Sequence, residues 1–395
     1  MTDKAVLAYS GGLDTSVTIR WLGEQGYEVH AVAVDVGQQE DFAQIVDRGQ
    51  RAGAASVRVI DAVDRFATDV LTKAIKANGL YEGTYPMVSG LARPLIAEEV
   101  VRVARELGAT TVAHGCTGKG NDQVRFEVSF FVLAPDLAVL APIRDANIPR
   151  EKALTLADEW GIPIAGVVAT YSVDENLWGR TTECGPLEDP WVAPPEDAFA
   201  RTVAPEHRPT APTEVVVTFD RGLPVAIDGE TASLPHVIRA LDAVGGSYGF
   251  GRVDMIENRR VGIKSRELYE VPGALSIITA HRALEDMCLE RSVAHHKPRL
   301  EQTWAELVYE GQWFGPLRAA IDAYVDATQT HVSGDVRLRY EPGTCTVVGR
   351  RSQHSLYDLS LATYGGEDAF DQSDARGYVS LYGLPLKVWA AVQGR

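Results

Sequence analysis

An apolar run near the N-terminus closes on Ala8, Tyr9, Ser10, Gly11, Gly12, Leu13, Asp14, Thr15 and Ser16, two glycines among hydroxyls and an acid. Glycines let a backbone turn sharply and bring N–H groups against a ligand with no Cβ in the way. A helix opening at Thr15 adds free amides and the positive end of its dipole. Ser10, Thr15 and Ser16 add hydroxyl donors, so the chemistry on offer is that of a phosphate or pyrophosphate site. Asp14 reads in two ways, as N-cap of that helix or as a carboxylate that helps place Mg2+ on the phosphates. No GxGxxG occurs here, and the Gly118-Lys119 pair lacks the other members of a Walker loop.

A second cluster lies in "HGCTGKGNDQVRFE", His114 to Glu127. Thr117, Asn121 and Asp122 gather a hydroxyl, an amide and a carboxylate at a strand-to-helix turn flanked by Gly115, Gly118 and Gly120. Such a set can hold an amino acid, with donors for its carboxylates and an acceptor for its ammonium. Lys119 and Arg125 add cations, and Arg125 can grip a carboxylate with two parallel bonds.

The elements that must position these residues follow from periodicity. "AVLAY" (5–9), "EVHAVAVDV" (28–36), "SVRVID", "TTVAH" and "LAVLAPI" read as buried strands. Helical patterns fall between or after them: 15–25, 41–52, "VDRFATDVLTKAIKAN" up to Gly79, "LARPLIAEEVVRVAREL" and "PREKALTLADEW". Apolar strands alternating with helices predict an α/β fold whose N-terminal part is a doubly wound parallel sheet covered on both faces. Ligands bind such sheets beyond the carboxyl ends of the strands, and both clusters lie there.

After about Ile164 the rhythm changes. "TEVVVTFDRGLPVAIDGE" and "DVRLRYEPGTCTVVGRR" read as antiparallel hairpins, with helices at 234–244, 273–288, 299–309 and 316–328. This is an α+β second domain. From about Ser360 the chain carries Tyr364, Phe370, Tyr378, Tyr382 and Trp389 among polar residues and glycines, the composition of an arm that packs on another subunit. The expected division is 1–165, nucleotide binding; 166–360, synthetase and multimerisation; and 361–395, a C-terminal oligomerisation arm.

At 395 residues the chain exceeds the usual size of one core. A formal charge of -16 argues against a nucleic-acid partner, whose phosphates need clustered Lys and Arg. Cys116, Cys184, Cys288 and Cys345 form no CxxC or CxxH pair, which argues against a zinc or redox site and fits reduced thiols. The first apolar run is too short for a signal peptide, and no segment approaches the ~20 apolar residues of a membrane span. The expectation is a soluble, cytoplasmic protein without a membrane partner.

The motif Ser-Gly-Gly-x-Asp-Thr after a first strand resembles the pyrophosphate loop of the N-type ATP pyrophosphatases, which have an adenine-nucleotide-hydrolase-like, Rossmann-like fold. Within that group "HGCTGKGNDQVRFE" is similar to the signature of the argininosuccinate synthase family. The similarity runs on through "VDVGQQEDF", "LARPLIA", "YSVDENLWGR", "ECGPLEDP", "IENRRVGIKSRELYE" and "PGALSI". The resemblance implies a ligase that joins L-citrulline to L-aspartate with ATP as substrate and Mg2+ on the nucleotide, and a homotetramer with interlocked arms. It implies an ATP site at residues 8–16, Val34 and Gly115, and an aspartate site at Thr117, Asn121 and Asp122. It implies a citrulline site at Tyr85, Asn121, Arg125, Ser172, Thr181, Glu257 and Tyr269. Ser10, Asp14 and Asp122 are the residues it points to for the chemistry, and no metal site built by the protein alone is expected. Two departures stand out: "VSGLARP" puts Gly90 where many relatives carry a serine, and Thr181 also replaces a serine. Two rival readings are a tRNA-modifying or amidotransferase enzyme of the same fold and a non-catalytic nucleotide sensor. Paired cysteines and a basic surface, which a thiolating enzyme would need, are not evident in the sequence.

Overall fold

Residues 5–8 and 31–34 are unbroken runs of Ala, Val and Leu, with no glycine or proline within them, the composition of strands buried on both faces. The computed structural model describes residues 2–164, 170–365 and 369–394. The chain divides into two compact units, 1–354 and 355–395. The boundary expected at 165/166 lies outside the described residues.

Five parallel strands, β1 (Lys4–Ala8), β2 (Glu28–Asp35), β3 (Ser56–Asp61), β4 (Thr111–His114) and β5 (Ala138–Leu140), stand in the order β3-β2-β1-β4-β5. Ala8 pairs with Val32 on one side and His114 on the other, so β1 and β4 end level with each other. Strand order reverses between these two, and their loops diverge to leave a crevice. Alternate residues of β1 and β2 face two different cores. Val6, Ala8, Val32 and Val34 pack in one, and Ala5, Leu7, Ala31 and Ala33 in the other, as the two-residue side-chain period requires.

Around this sheet run α1 (Leu13–Glu24), α2 (Phe42–Arg51), α3 (Val63–Arg65), a π-helical turn at Phe66–Leu71, α4 (Thr72–Lys76), α5 (Val88–Leu107), α6 (Asp122–Leu133), α7 (Pro142–Asp145) and α8 (Arg150–Glu159). The single helix expected up to Gly79 is thus a composite. Its π turn buries Phe66, Ala67, Val70 and Leu71. Helix α5 begins before Leu91, where the sequence predicts it, and holds Pro94 within.

The remainder of the first unit is built on two antiparallel sheets. Strands β6 (Ser172–Asn176), β7 (Gly179–Glu183), β8 (Thr213–Asp220), β9 (Leu223–Ile227), β10 (Glu230–Thr231), β11 (Arg252–Asn258), β12 (Lys264–Glu270), β13 (Gly334–Glu341) and β14 (Thr344–Arg351) follow in chain order. They form the sheets β10-β9-β8-β13-β14 and β11-β12-β7-β6. Both predicted hairpins belong to the first of these; the second sheet was not anticipated. Helices α9 (Leu234–Ser247), α10 (Pro272–Cys288), α11 (Arg291–Tyr309) and α12 (Pro316–Thr328) complete the unit. Helix α11 starts at Arg291, not at Arg299, because Glu290 caps it by accepting from the N–H groups of Ser292 and Val293, and Pro298 is carried inside. The second unit holds α13 (Leu359–Ala362), α14 (Asp374–Tyr382) and α15 (Leu384–Gln393), none with a buried residue. No helix among the described residues is long and apolar enough to cross a membrane.

Candidate active site

The loops leaving β1 and β4 open into a cavity of about 760 Å³, walled further by the end of β2, the start of α5 and the sheet β11-β12-β7-β6. Apart from Ser16, every residue that the resemblance assigns to the site lines it, whereas Lys119, offered by the sequence as a further cation, is exposed and does not.

At one end stands the glycine turn. Gly11 has φ of +75°, and a Cβ there would lie 2.8 Å from Ile45 Cγ1, so backbone and space both demand glycine. Gly12 has ordinary dihedrals of -74° and 173° and is itself the N-cap of α1. The nearest protein atom to a Cβ on Gly12 would be Ser10 Oγ at 3.3 Å, which leaves the volume beyond it to a ligand. The N-cap reading of Asp14 is therefore corrected: the helix starts earlier, and Asp14 sits in its first turn. Burial pushes the Asp14 carboxyl up, and the charge of Arg150 pulls it partly back. Ser10 Oγ lies 3.2 Å from Thr15 Oγ1. Ser16 is also corrected, since it is fully buried and its hydroxyl meets Tyr9 Oη at 3.3 Å, not the cavity. Arg48 ties the turn from outside by donating to the Gly11 carbonyl and, at 3.2 Å, to that of Pro163. A Cβ on Gly115 would lie 2.8 Å from Thr15 Cγ2, so glycine lets the β4 exit run beside the N-terminus of α1. At the end of β2 the Gln38 amide donates to the Val34 carbonyl at 2.9 Å and accepts from the Val36 N–H at 2.8 Å.

The middle of the cavity is ionic. Asp122, at the start of α6, receives Arg93 Nε at 2.9 Å and Arg125 Nη1 at 2.8 Å. Arg93 continues to Asp174 on β6 at 2.8 Å. Burial alone would raise the Asp122 carboxyl, but the two guanidinium groups outweigh it and bring it down to about 2. Asp122 is thus a fixed anion and a weak proton acceptor. Asn121 donates to Tyr309 Oη at 2.8 Å and accepts from the Arg260 N–H at 3.0 Å, so much of its amide is used in holding α11 and the β11–β12 turn. Thr117 is exposed at the cavity's edge.

Aromatic rings and carboxylates form the far end. Tyr85 stacks on Tyr269 with centroids 3.8 Å apart, and Tyr81 on Tyr309 at 3.6 Å. The Arg125 guanidinium lies 5.0 Å from the Tyr309 ring centre and donates to that residue's carbonyl at 3.0 Å. Glu257 and Glu267, on neighbouring strands, each place an oxygen 3.0 Å from Tyr269 Oη. Arg259 meets Glu267 at 2.6 Å and Glu183 at 2.5 Å. Burial, reinforced by the charge of Glu267, pushes Glu257 up to about 8. Thr181 Oγ1 is buried with no hydrogen-bond partner among the described residues, an orphan that a ligand in this cavity would satisfy. Ser172 lies at the rim. The missing side chain of Gly90 would face Arg125 at 3.6 Å, and the neighbouring Ser89 lines the cavity.

Sequence reasoning missed Arg48, Arg93, Glu183, Arg259, Glu267 and Tyr309. Each gains its meaning from a partner far away in the chain. "LARP" and "SRELYE" hold two of them, Arg93 and Glu267, as charges inside quoted motifs, but nothing in the sequence pairs them with their partners.

Known proteins bear on this arrangement. The model of the arginosuccinate synthase N-terminal HUP domain matches residues 4–163, and that of the arginosuccinate synthase C-terminal domain matches 171–389. The chain is 51% identical to the argininosuccinate synthase of Bacillus licheniformis over 99% of its own length and 97% of the relative's. It is 50% identical to that of Anoxybacillus flavithermus, covering 99% and 98%, and 52% identical to that of Bacillus pumilus, covering 98% and 96%. Among solved structures, a 4-thiouridine synthetase in complex with RNA and bound ATP covers 41% of the chain and 42% of its own, at 16% identity and a TM-score of 0.32. That last likeness is too partial to build on. Matched at both ends by the family's models and along nearly its whole length by its members, the chain belongs to the argininosuccinate synthase family.

Proposed function

We propose that the chain joins L-citrulline to L-aspartate at the expense of ATP, releasing argininosuccinate, AMP and pyrophosphate, through a citrullyl-adenylate. One observation carries the reading: a phosphate-type turn, a fixed anion between two arginines and a ring-walled carboxylate cluster converge on a single cavity. A urea carbon resists direct attack, since nitrogen lone pairs feed it and its oxygen leaves poorly. Attack of the ureido oxygen on the α-phosphorus turns that oxygen into a leaving group, which the aspartate amine then displaces with AMP, splitting one hard step into two.

The chain's own residues supply position and charge. The amides at Gly11 and Gly12, with the hydroxyls of Ser10 and Thr15, hold the departing pyrophosphate. Tyr85 and Tyr269 give the ureido amino acid a flat wall, Glu257 an acceptor for its ammonium, Thr181 a free hydroxyl and Arg125 a cation. Asp122, ionised across the working range, receives the aspartate ammonium and orients it, but it is too weak a base to take the proton. Mg2+ would travel with the nucleotide beside Asp14 and share the charge growing on the phosphates.

The exposed rings and aliphatic side chains of the second unit support a homotetramer built through that arm. Four cysteines without a disulfide among the described residues support a reducing compartment, the cytoplasm. The net charge supports a protein without a nucleic-acid partner.

Citrulline labelled with 18O in the ureido group tests the mechanism. The three products should form in equal amounts, with the label in AMP. ATP binding without pyrophosphate release in the presence of both amino acids would favour a nucleotide sensor instead.

A further inference from the structure

We propose that Glu257 and Glu267 share one proton in the free protein, and that the α-ammonium of the ureido amino acid displaces it on binding. The inference rests on the reading that this end of the cavity receives that amino acid.

Hydrogen positions force the sharing. Tyr269 Oη has one hydrogen, yet it lies 3.0 Å from Oε2 of Glu257 and 3.0 Å from Oε2 of Glu267. The phenol can donate to one carboxylate only. The other oxygen then faces a phenol lone pair, and that contact is favourable only if its carboxyl carries a hydrogen to donate. Ser265 Oγ repeats the arrangement, 3.5 Å from Oε1 of Glu257 and 3.3 Å from Oε1 of Glu267. Both carboxyls are withdrawn from water, at 3% and 7% exposure, so solvent does not relieve the repulsion of two bare anions.

The surrounding charges relieve it only in part. From β7, Glu183 adds a third carboxylate. Arg259 reaches Glu183 at 2.5 Å, Glu267 at 2.6 Å and Glu257 at 3.7 Å, one guanidinium among three acids. From α6, Arg125 attracts Glu257 but is held by Asp122 at 2.8 Å. Tyr85, Tyr81 and Tyr309, the other groups facing the pair, are phenols that burial keeps protonated. The upward push on Glu257, from burial first and Glu267 second, has the same origin.

An incoming ammonium supplies the positive charge and the donors that the proton supplied before. The exchange balances: the protonated pair and R–NH3+ give the bound ammonium with both carboxylates ionised, and one proton leaves to solvent. No bond to carbon changes. Below the titration range of the free pair each binding event releases a proton, so affinity rises with pH by at most about tenfold per unit and levels off once the free pair is ionised.

Calorimetric titration of the full chain with L-citrulline, in the presence of a non-hydrolysable ATP analogue at about pH 7, tests this in phosphate and in Tris buffers, whose ionisation heats differ widely. The heats should differ by the equivalent of roughly half to one proton released per citrulline. Glu267→Gln keeps the shape of the pair; it should bind with release near zero and with a Kd nearly flat between about pH 6 and pH 8. Glu183→Gln should still release the proton. Equal heats in both buffers for the wild type, or a release that disappears with Glu183 and not with Glu267, would overturn the shared proton. No citrulline binding by the folded wild type in either buffer would instead overturn the reading of the cavity.

Discussion

Gly12 has no conformational need to be glycine, since its dihedrals suit any residue and a Cβ would press only on Ser10 Oγ, at 3.3 Å, a hydroxyl on an exposed residue that can turn aside. On the proposed reading, the larger cost of a side chain there falls on the nucleotide phosphates. Gly12→Val should therefore leave the unfolding free energy within about 1 kcal/mol of the wild type while raising the KM for ATP at least tenfold; normal ATP use would remove the turn from the phosphate site. Asp122 works by another principle, because its charge is part of the fold as well as of the site. Holding its carboxyl at about 2 against an ordinary 3.8 corresponds to about 2 kcal/mol. A depressed carboxyl contributes stability that is complete above its unfolded value and disappears as pH falls through its folded value. Asp122→Asn should thus destabilise the protein by about 2 kcal/mol at neutral pH, with the deficit shrinking to about half near pH 3. Denaturant midpoints of both proteins at the two pH values measure it, and a deficit that stays constant would break the assignment of Arg93 and Arg125 as its cause. In the same variant the citrulline-dependent ATP–pyrophosphate exchange should weaken less than argininosuccinate formation, because Arg125 keeps its bond to the Tyr309 carbonyl.

Helices α10 and α11 and the end of α4 are joined by buried charge. Lys297 Nζ, 1% exposed, meets Glu301 at 2.5 Å, Glu285 on α10 at 2.9 Å and the Lys76 carbonyl at 2.7 Å. Asn78 donates to both carboxylates at 2.7 Å. Removing one partner of a buried ion pair leaves the other charge uncompensated, so Lys297→Met should cost about 3–5 kcal/mol in urea unfolding; a loss below about 1 kcal/mol would mean that packing alone joins these helices. No such network is visible in the sequence, and the reason is general to this chain. The parallel sheet could be read because its strands are apolar runs, and the two loops could be read because their glycines and polar groups sit together in sequence. Strand β11 could not: its inward residues are Met255 and Glu257, whereas Ile256 is 45% exposed, so the apolar pattern is inverted where an acid must face the cavity. Glu257 and Tyr269 consequently entered through family resemblance, and Glu267 and Arg259 not at all. The early start of α11 was hidden for a similar reason, since a glutamate cap and an internal proline are both weak signals of helix.

The second unit poses a problem that its own residues do not solve. Helices α14 and α15 carry Tyr378, Val379, Leu381, Tyr382, Leu386 and Trp389, each more than half exposed. Tyr378 stacks on Tyr382 at 5.4 Å, but a pair of rings covers little of this surface. Contiguous apolar area of this kind marks an interface, and a second copy of the same chain is the partner always present at the right concentration, with closed symmetry the usual result. The chain also carries a net charge of -16, so copies repel at long range and only an apolar contact of some size can hold them. The homotetramer that the family resemblance implies predicts, by light scattering, a mass about four times 42.9 kDa for the full chain. Placing charge in the middle of this surface with Leu381→Glu and Trp389→Glu should lower the mass while leaving the far-UV spectrum unchanged, because neither side chain is buried. A single-copy mass for the wild type would mean that something other than self-association covers these helices, and an unchanged mass in the double variant would place the contacts between copies on another face.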